Sequence, residues 1–333
     1  MPIFQPNLFQ GAGRRRRYFE GWYFKQVAED GRAWSFIPGI SIGADGSKKA
    51  FVQAIDGDGG RTRWYEFPFA SFSCHPKRLE LAVGPNRFGL GGVELDLDGP
   101  DGRLKASLRY GPTTAFPSRP WRPGIMGPYS FVPFMECRHG LVSLDHEVAG
   151  RIETEEGNLE LGRGRGYIEK DWGSSMPSAW IWTQSNGFAE PGASLMFSLA
   201  NIPWLGGSFP GFLCAARLPE AGAPAGSAPV RIWATWNGAR VARAEASDAR
   251  IELELRRGAE RLTLGLERGR GGLLLAPVAG SMERRIAESV DAAMSVRLER
   301  GGELAFEGRA APAGLETVGE LSSLGVSIRP SGA

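Results

Sequence analysis

SMERRIAESVDAAMSVRL, Ser281 to Leu298, is the stretch on which the fold class turns. With a period near 3.6 it reads as a helix, because good helix formers carry Ile286, Val290 and Met294 four apart. With a period of two, Ile286, Glu288, Val290, Ala292, Met294, Val296 and Leu298 share one face. Ser289, Asp291, Ser295, Arg297 and Glu299 then take the other. The alternation runs unbroken into Val296 and Leu298, and Leu304 with Phe306 answers it across Arg300-Gly301-Gly302. That continuity selects a strand.

The same scheme extends outward. Val93, Leu95 and Leu97 alternate with acids, and Leu104, Ala106, Leu108 and Tyr110 resume after Gly99-Pro100-Asp101-Gly102. Ile251, Leu253 and Leu255 precede Arg256-Arg257-Gly258, and Leu262, Leu264 and Leu266 follow it. These are meander hairpins with one buried face, so the chain reads as all-β with few or short helices. Arg217 to Val230, RLPEAGAPAGSAPV, reads as a surface loop. Pro112 to Pro133, which holds Trp121, Tyr129 and Phe131, either crosses between the halves or covers the mouth of a cavity. The length of 333 residues suits two similar domains, 1–150 and 151–333.

Composition narrows the function. With 39 basic and 37 acidic side chains the net charge is +2, too weak a field for nucleic acid to be the partner. The 47 glycines and 10 tryptophans point instead to tight turns and a ring-lined interior. Cys74, Cys137 and Cys214 are odd in number and widely spaced, so no disulfide framework follows and a reducing, cytoplasmic setting is expected. No apolar run approaches ~20 residues, and the N-terminal text lacks the core of a signal peptide. Arg14 to Arg17 form a solvated arm or a peripheral contact with anionic lipid headgroups.

Several motifs dissolve on inspection. Gly39-Ile40-Ser41-Ile42-Gly43 matches a nucleophile elbow, but hairpin-turn residues follow where a helix is required. Gly162, Gly164 and Gly166 have no helix after them to receive a phosphate. His75, His139 and His146 do not cluster with cysteines at ligand spacing, so no metal site is expected.

Three acid-with-ring segments carry the signal. In Tyr18 to Lys25, YFEGWYFK, an extended chain sets Glu20 beside Tyr18, Trp22 and Phe24. In Gly166 to Asn186 one strand face holds Tyr167, Glu169 and Asp171, and the other Lys170 and Trp172. Its second arm places Trp180, Trp182, Gln184 and Asn186 together, an apolar wall with hydrogen-bonding ends. The third segment surrounds Glu288, one acid on an otherwise apolar face, where desolvation would raise its pKa into proton-donor range. A purely structural role stays open for each, with Lys25, Lys170 or Arg284 as pairing cations.

At these segments the chain resembles the tocopherol cyclase family. The resemblance rests on YFEGWYFK, Phe51-Val52-Gln53, GYIEKDWG (Gly166 to Gly173) and WIWTQSN (Trp180 to Asn186). LAPVAGSMERRIAES (Leu275 to Ser289) and GLETVG (Gly314 to Gly319) extend it. The text near the start and the element ending at Trp172-Gly173 are also similar to carotenoid hydratases, in a wider superfamily that includes pericyclases. The resemblance implies two lipocalin-like antiparallel β-barrels in tandem, with a ligand cavity at or between them. The Gly, Ala and Arg content points to a bacterial member, without the targeting extension of plant plastid members.

Membership would imply cyclisation of a prenylated hydroquinone to a chromanol, without redox change or cofactor. An acid protonates a trisubstituted alkene, indole faces shield the tertiary cation, and the phenol oxygen closes the ring. Glu169 and Asp171 are the expected acid/base pair, with Glu20 and Glu288 as alternates. Trp22, Tyr23, Trp172, Trp180 and Trp182 would line the substrate, and Gln184 and Asn186 would orient the phenol. The alternatives are a non-catalytic carrier of a hydrophobic small molecule, or a hydratase or pericyclase acting on another isoprenoid.

Overall fold

The computed structural model describes residues 2–133, 135–204, 207–220 and 228–329. Among these the chain is strand almost throughout, and its helices are 3-10 turns of three to five residues. Two units emerge: Met1–Met176 with Gly272–Ile286, and Pro177–Gly271 with Ala287–Ala333.

In the first unit β1 (Tyr18–Val27), β2 (Ala33–Ile42), β3 (Lys48–Asp56) and β4 (Arg61–Pro68) form a meander. A second run follows through β5 (Phe72–Cys74), β6 (Glu80–Val83), β7 (Asn86–Gly89) and β8 (Gly92–Leu97). It continues with β9 (Leu104–Tyr110), β10 (Cys137–Thr154) and β11 (Gly157–Gly173). β11 returns to pair antiparallel with β1, giving the order β4-β3-β2-β1-β11-β10-β9-β8-β7-β6-β5. The two edge strands, β4 and β5, are joined only by Phe69–Ser71, a link that spans at most about 14 Å. The sheet therefore curls until its edges nearly meet, which is how an antiparallel sheet hides its edges. Its inner face holds Trp22, Phe24, Phe36, Ile40, Val52 and their neighbours.

The second unit repeats the path. β12 (Trp180–Ser185), β13 (Ser194–Trp204), β14 (Gly207–Arg217) and β15 (Val230–Ala234) form its meander. Then come β16 (Arg240–Ala246), β17 (Arg250–Arg257), β18 (Glu260–Glu267), β19 (Gly272–Val278), β20 (Ser281–Arg300), β21 (Glu303–Val318) and β22 (Ser327–Ile328). β21 pairs back onto β12, and the order is β15-β14-β13-β12-β21-β20-β18-β17-β16-β22, with β19 on β20 off this path. β15, at one edge, and β16, next to the two-residue edge strand β22, are again successive in the chain. The all-β reading and each hairpin read from the alternation stand, including a strand over Ser281–Arg300.

Two expectations change. A boundary near 150 gives way to one at Met176, because β11 is the strand that closes the first sheet. The β19 strand and the start of β20 also belong to the first unit, where the Gln53 side chain bridges both backbone groups of Leu275 at 3.0 and 2.9 Å. Gly280 turns this hairpin at φ 87°, with Ile42 O 2.1 Å from where a Cβ would sit, so only glycine fits. Pro112 to Pro133 stays within the first unit, between β9 and β10. Half of the expected loop at Arg217 to Val230, residues 221–227, lies outside the described residues.

β10 pairs with β11 through several register shifts, and His146, opposite Gly166 between two of them, is buried. The ring lies 4.5 Å from that of Tyr110, with Ser143 Oγ 3.0 Å from Nδ1. Burial, then the nearby Arg165, pushes the imidazole down to about 3. The unfolded chain binds this proton first, so the contribution is complete above the unfolded value of about 6.5 and lost as pH falls toward 3. We expect a loss of up to roughly 4 kcal/mol over that window. Urea midpoints measured from pH 7 to pH 4 should fall more steeply for the wild type than for His146→Gln. Parallel slopes would refute a neutral buried His146.

Candidate active site

β11 alternates strictly, so its two faces carry different chemistry. Cross-strand register sets Tyr23 of β1 and Leu141 of β10 opposite Glu169, and Gly21 and His139 opposite Asp171. Opposed residues project to one side, which gathers Tyr23, Tyr167, Glu169, Asp171 and His139. His139 Nδ1 lies 2.9 Å from Asp171 Oδ1, and Nε2 lies 3.4 Å from Glu169 Oε2. Tyr167 Oη donates to Glu169 Oε2. Burial first, and the Glu169 carboxylate second, hold the Tyr167 phenol well above its ordinary pKa, so it remains a donor. Tyr23 meets Tyr167 edge-on at 6.5 Å and accepts from Ser35 Oγ at 2.8 Å.

This is an imidazole held between two carboxylates, with a phenol behind one of them. Where Asp171 accepts the Nδ1 proton, Nε2 faces Glu169 as an acceptor, and a proton can be held at or passed between those two atoms. The ligand atoms of His139, Glu169 and Asp171 fall within 4.8 Å of one another, as a cation site requires. The ring, however, presents a different nitrogen to each carboxylate, and one ion can take only one nitrogen. The arrangement therefore suits a proton better than a metal.

The opposite face explains Glu20. Register places Trp22 opposite Lys170 and Glu20 opposite Trp172. The Glu20 and Lys170 side chains are fully buried and 2.6 Å apart. Glu20 also accepts from Tyr18 Oη at 2.6 Å and from the Gln10 N–H at 2.8 and 3.0 Å. Lys170 donates to Pro6 O and Leu8 O and lies 4.7 and 4.6 Å from the Trp22 and Trp172 rings. Trp22 Nε1 donates to Asn7 O at 3.0 Å. Glu20 and Trp22 thus pin the segment before β1. The geometry supports this anchoring role for them over proton donation or lining the substrate.

That segment walls a cleft of about 760 Å³ in the first unit. Ile3, Pro6, Met126, Met135 and Trp172 supply apolar lining, and His139 stands in the wall. Gly124, Ser130 and Pro133 also line it, so the Pro-rich stretch covers a cavity.

The second unit repeats the motif of an acid facing a ring. Trp180, Trp182, Gln184 and Asn186 are buried. The three within β12 share the face opposite the core residues Ile181 and Leu199. Trp182 lies opposite Glu316, as Tyr23 lies opposite Glu169. Trp180 Nε1 donates to Glu316 Oε2 at 2.5 Å. Glu288 is 1% exposed and pairs with Glu316. The alternation expects Glu288 on the face of Val296 and Leu298. A bulge between Ser289 and Ala292 shifts the register, so Glu288 takes the face of Glu316 and Trp182 instead. His139 and Glu316 are the residues that reading the sequence did not single out for the site, and Tyr167 was placed on the right face without a role.

The sequence model of the family described as tocopherol cyclase-like matches residues 100–201. No curated protein matches the chain by sequence. A solved structure from Nitrosomonas europaea assigned to AttH aligns at 14% identity over 90% of this chain and 92% of that one, with a TM-score of 0.44. Kievitone hydratase from Nectria haematococca aligns at 9% identity over 91% and 89%, with a TM-score of 0.46. No helix among the described residues is long and apolar enough to cross a membrane. Over residues 100–201, which hold His139, Tyr167, Glu169, Asp171 and the Trp180 to Asn186 wall, the chain is similar to the tocopherol cyclase-like family, as its motifs imply.

Proposed function

We propose that the protein is a cofactor-free acid/base cyclase of a prenylated hydroquinone or a closely related isoprenoid. The observation that carries this reading is the His139 imidazole, held between Glu169 and Asp171, standing in the wall of a cleft lined in part by apolar side chains and the Trp172 ring. Glu169 delivers its proton to the less substituted alkene carbon, and the tertiary cation forms beside aromatic faces. Each such face contributes roughly 0.5–2 kcal/mol. The phenol oxygen then bonds to the cation and gives up its proton, which His139 passes back to Glu169. One C–H and one C–O bond form, one O–H and one C=C π bond are lost, and the product is an isomer of the substrate.

Phytyl- and polyprenyl-quinols incubated with the protein in D₂O under reducing conditions provide the test. Mass spectrometry should find a chromanol with one carbon-bound deuterium next to the ether carbon. A product heavier by one water replaces the cyclase with a hydratase. Quinol that binds without turning over replaces both with a carrier.

A further inference from the structure

Two segments frame the cleft, and neither contains an acid. Met1 to Arg17 carries Arg14, Arg15, Arg16 and Arg17, and Pro112 to Pro133 carries Arg119 and Arg122. Arg14 to Arg17 are all exposed, and none makes an ion pair among the described residues. Arg14, Arg17 and Arg138 stand in the cleft lining itself.

The same two segments hold every strongly exposed aromatic side chain among the described residues. Phe4 is 50% exposed, Trp121 69% and Phe131 48%. Phe4 and Phe131 meet edge to face at 6.0 Å, and each follows directly on a lining residue, Ile3 or Ser130. A soluble domain gains nothing from aromatic rings in water, and exposed rings set among unpaired arginines mark a surface that is covered in use.

We infer that this rim docks on an anionic lipid bilayer, with Phe4, Trp121 and Phe131 entering at headgroup depth and Arg14 to Arg17 on lipid phosphates. Tryptophan and phenylalanine favour that depth, and arginines gain from the surface potential of anionic lipid. The inference rests on the proposed function in one respect: a prenylated quinol is dissolved in a bilayer, and a cleft opening onto the bilayer can receive it without passage through water.

Sedimentation with vesicles tests the docking without any quinol present. The protein should bind vesicles of phosphatidylcholine and phosphatidylglycerol in equal parts at low ionic strength, and added salt should release it. Arg15→Gln with Arg16→Gln should weaken binding about twentyfold, near fivefold per charge. The pair Arg15→Lys and Arg16→Lys should keep it. Trp121→Ser with Phe131→Ser should weaken it about tenfold, with thermal melting unchanged in every variant. Wild-type protein left in the supernatant, or either weakening pair sedimenting like wild type, overturns the inference. A protein that cyclises detergent-dispersed quinol yet ignores vesicles refutes only the docking. One that binds vesicles and turns over no quinol refutes only the enzyme.

Discussion

Glu169→Gln lowers kcat for quinol cyclisation by about 10²- to 10⁴-fold while leaving the fold intact, the range expected when a positioned general acid is removed. Glutamine is isosteric, and its carbonyl can still accept the Tyr167 hydroxyl that Glu169 holds. What it cannot do is release a proton to an alkene. The loss should therefore fall on kcat, with KM nearly unchanged, because the interaction is needed only as the cation forms. Asp171 acts at one remove. It faces His139 Nδ1 and sets which nitrogen is left to serve Glu169. Asp171→Asn should cost on the order of a hundredfold in kcat, and Asp171→Glu should recover part of it. Full turnover by Glu169→Gln would remove the assignment and move attention to Glu288 and Glu316, the paired acids of the second unit.

The fold was legible wherever a local pattern settled it. Alternation at Ser281 to Leu298 distinguished strand from helix because the two periods predict different faces over so long a stretch, and the Gly-rich turns marked most hairpins. Tyr167, Glu169 and Asp171 could be placed on one face of β11 for the same reason. What alternation cannot supply is which strands lie side by side. Lys170 and Glu20 each had a face, but the two faces become one only when β1 pairs with β11, far away in the chain. His139 was hidden similarly. Folding β10 onto β11 about Glu155 and Glu156 carries it to Asp171, but only after bulges at Leu141, Ser143 and Val148 have shifted the register. Glu288 was set on the wrong face by a bulge that leaves no mark in the text.

Lys170→Met carries the second large effect, on stability. Its ammonium and the Glu20 carboxylate are buried together in direct contact, so each is the other's contacting countercharge. Burial pulls the Lys170 pKa down, and Glu20 works against that shift, so the pair gains little over an apolar replacement of both. Removing one partner is different. Lys170→Met leaves a carboxylate facing only neutral donors, Tyr18 and the Gln10 N–H. Glu20→Gln leaves an ammonium facing carbonyls and ring faces. Each should cost about 3–5 kcal/mol, and the double variant should cost clearly less than the sum. The two charges also tie down Pro6, Leu8 and Gln10. Either single variant should therefore free the segment before β1 and speed tryptic cleavage at Arg14 to Arg17. Because Ile3, Pro6, Gln10, Arg14 and Arg17 line the cleft, the freed segment should raise KM for the quinol, whereas Glu169→Gln lowers kcat. Variants within about 1 kcal/mol of wild type, with unchanged tryptic patterns, would show that this pair does not hold the segment. A loss of kcat in Glu20→Gln at unchanged KM would return Glu20 to the chemistry.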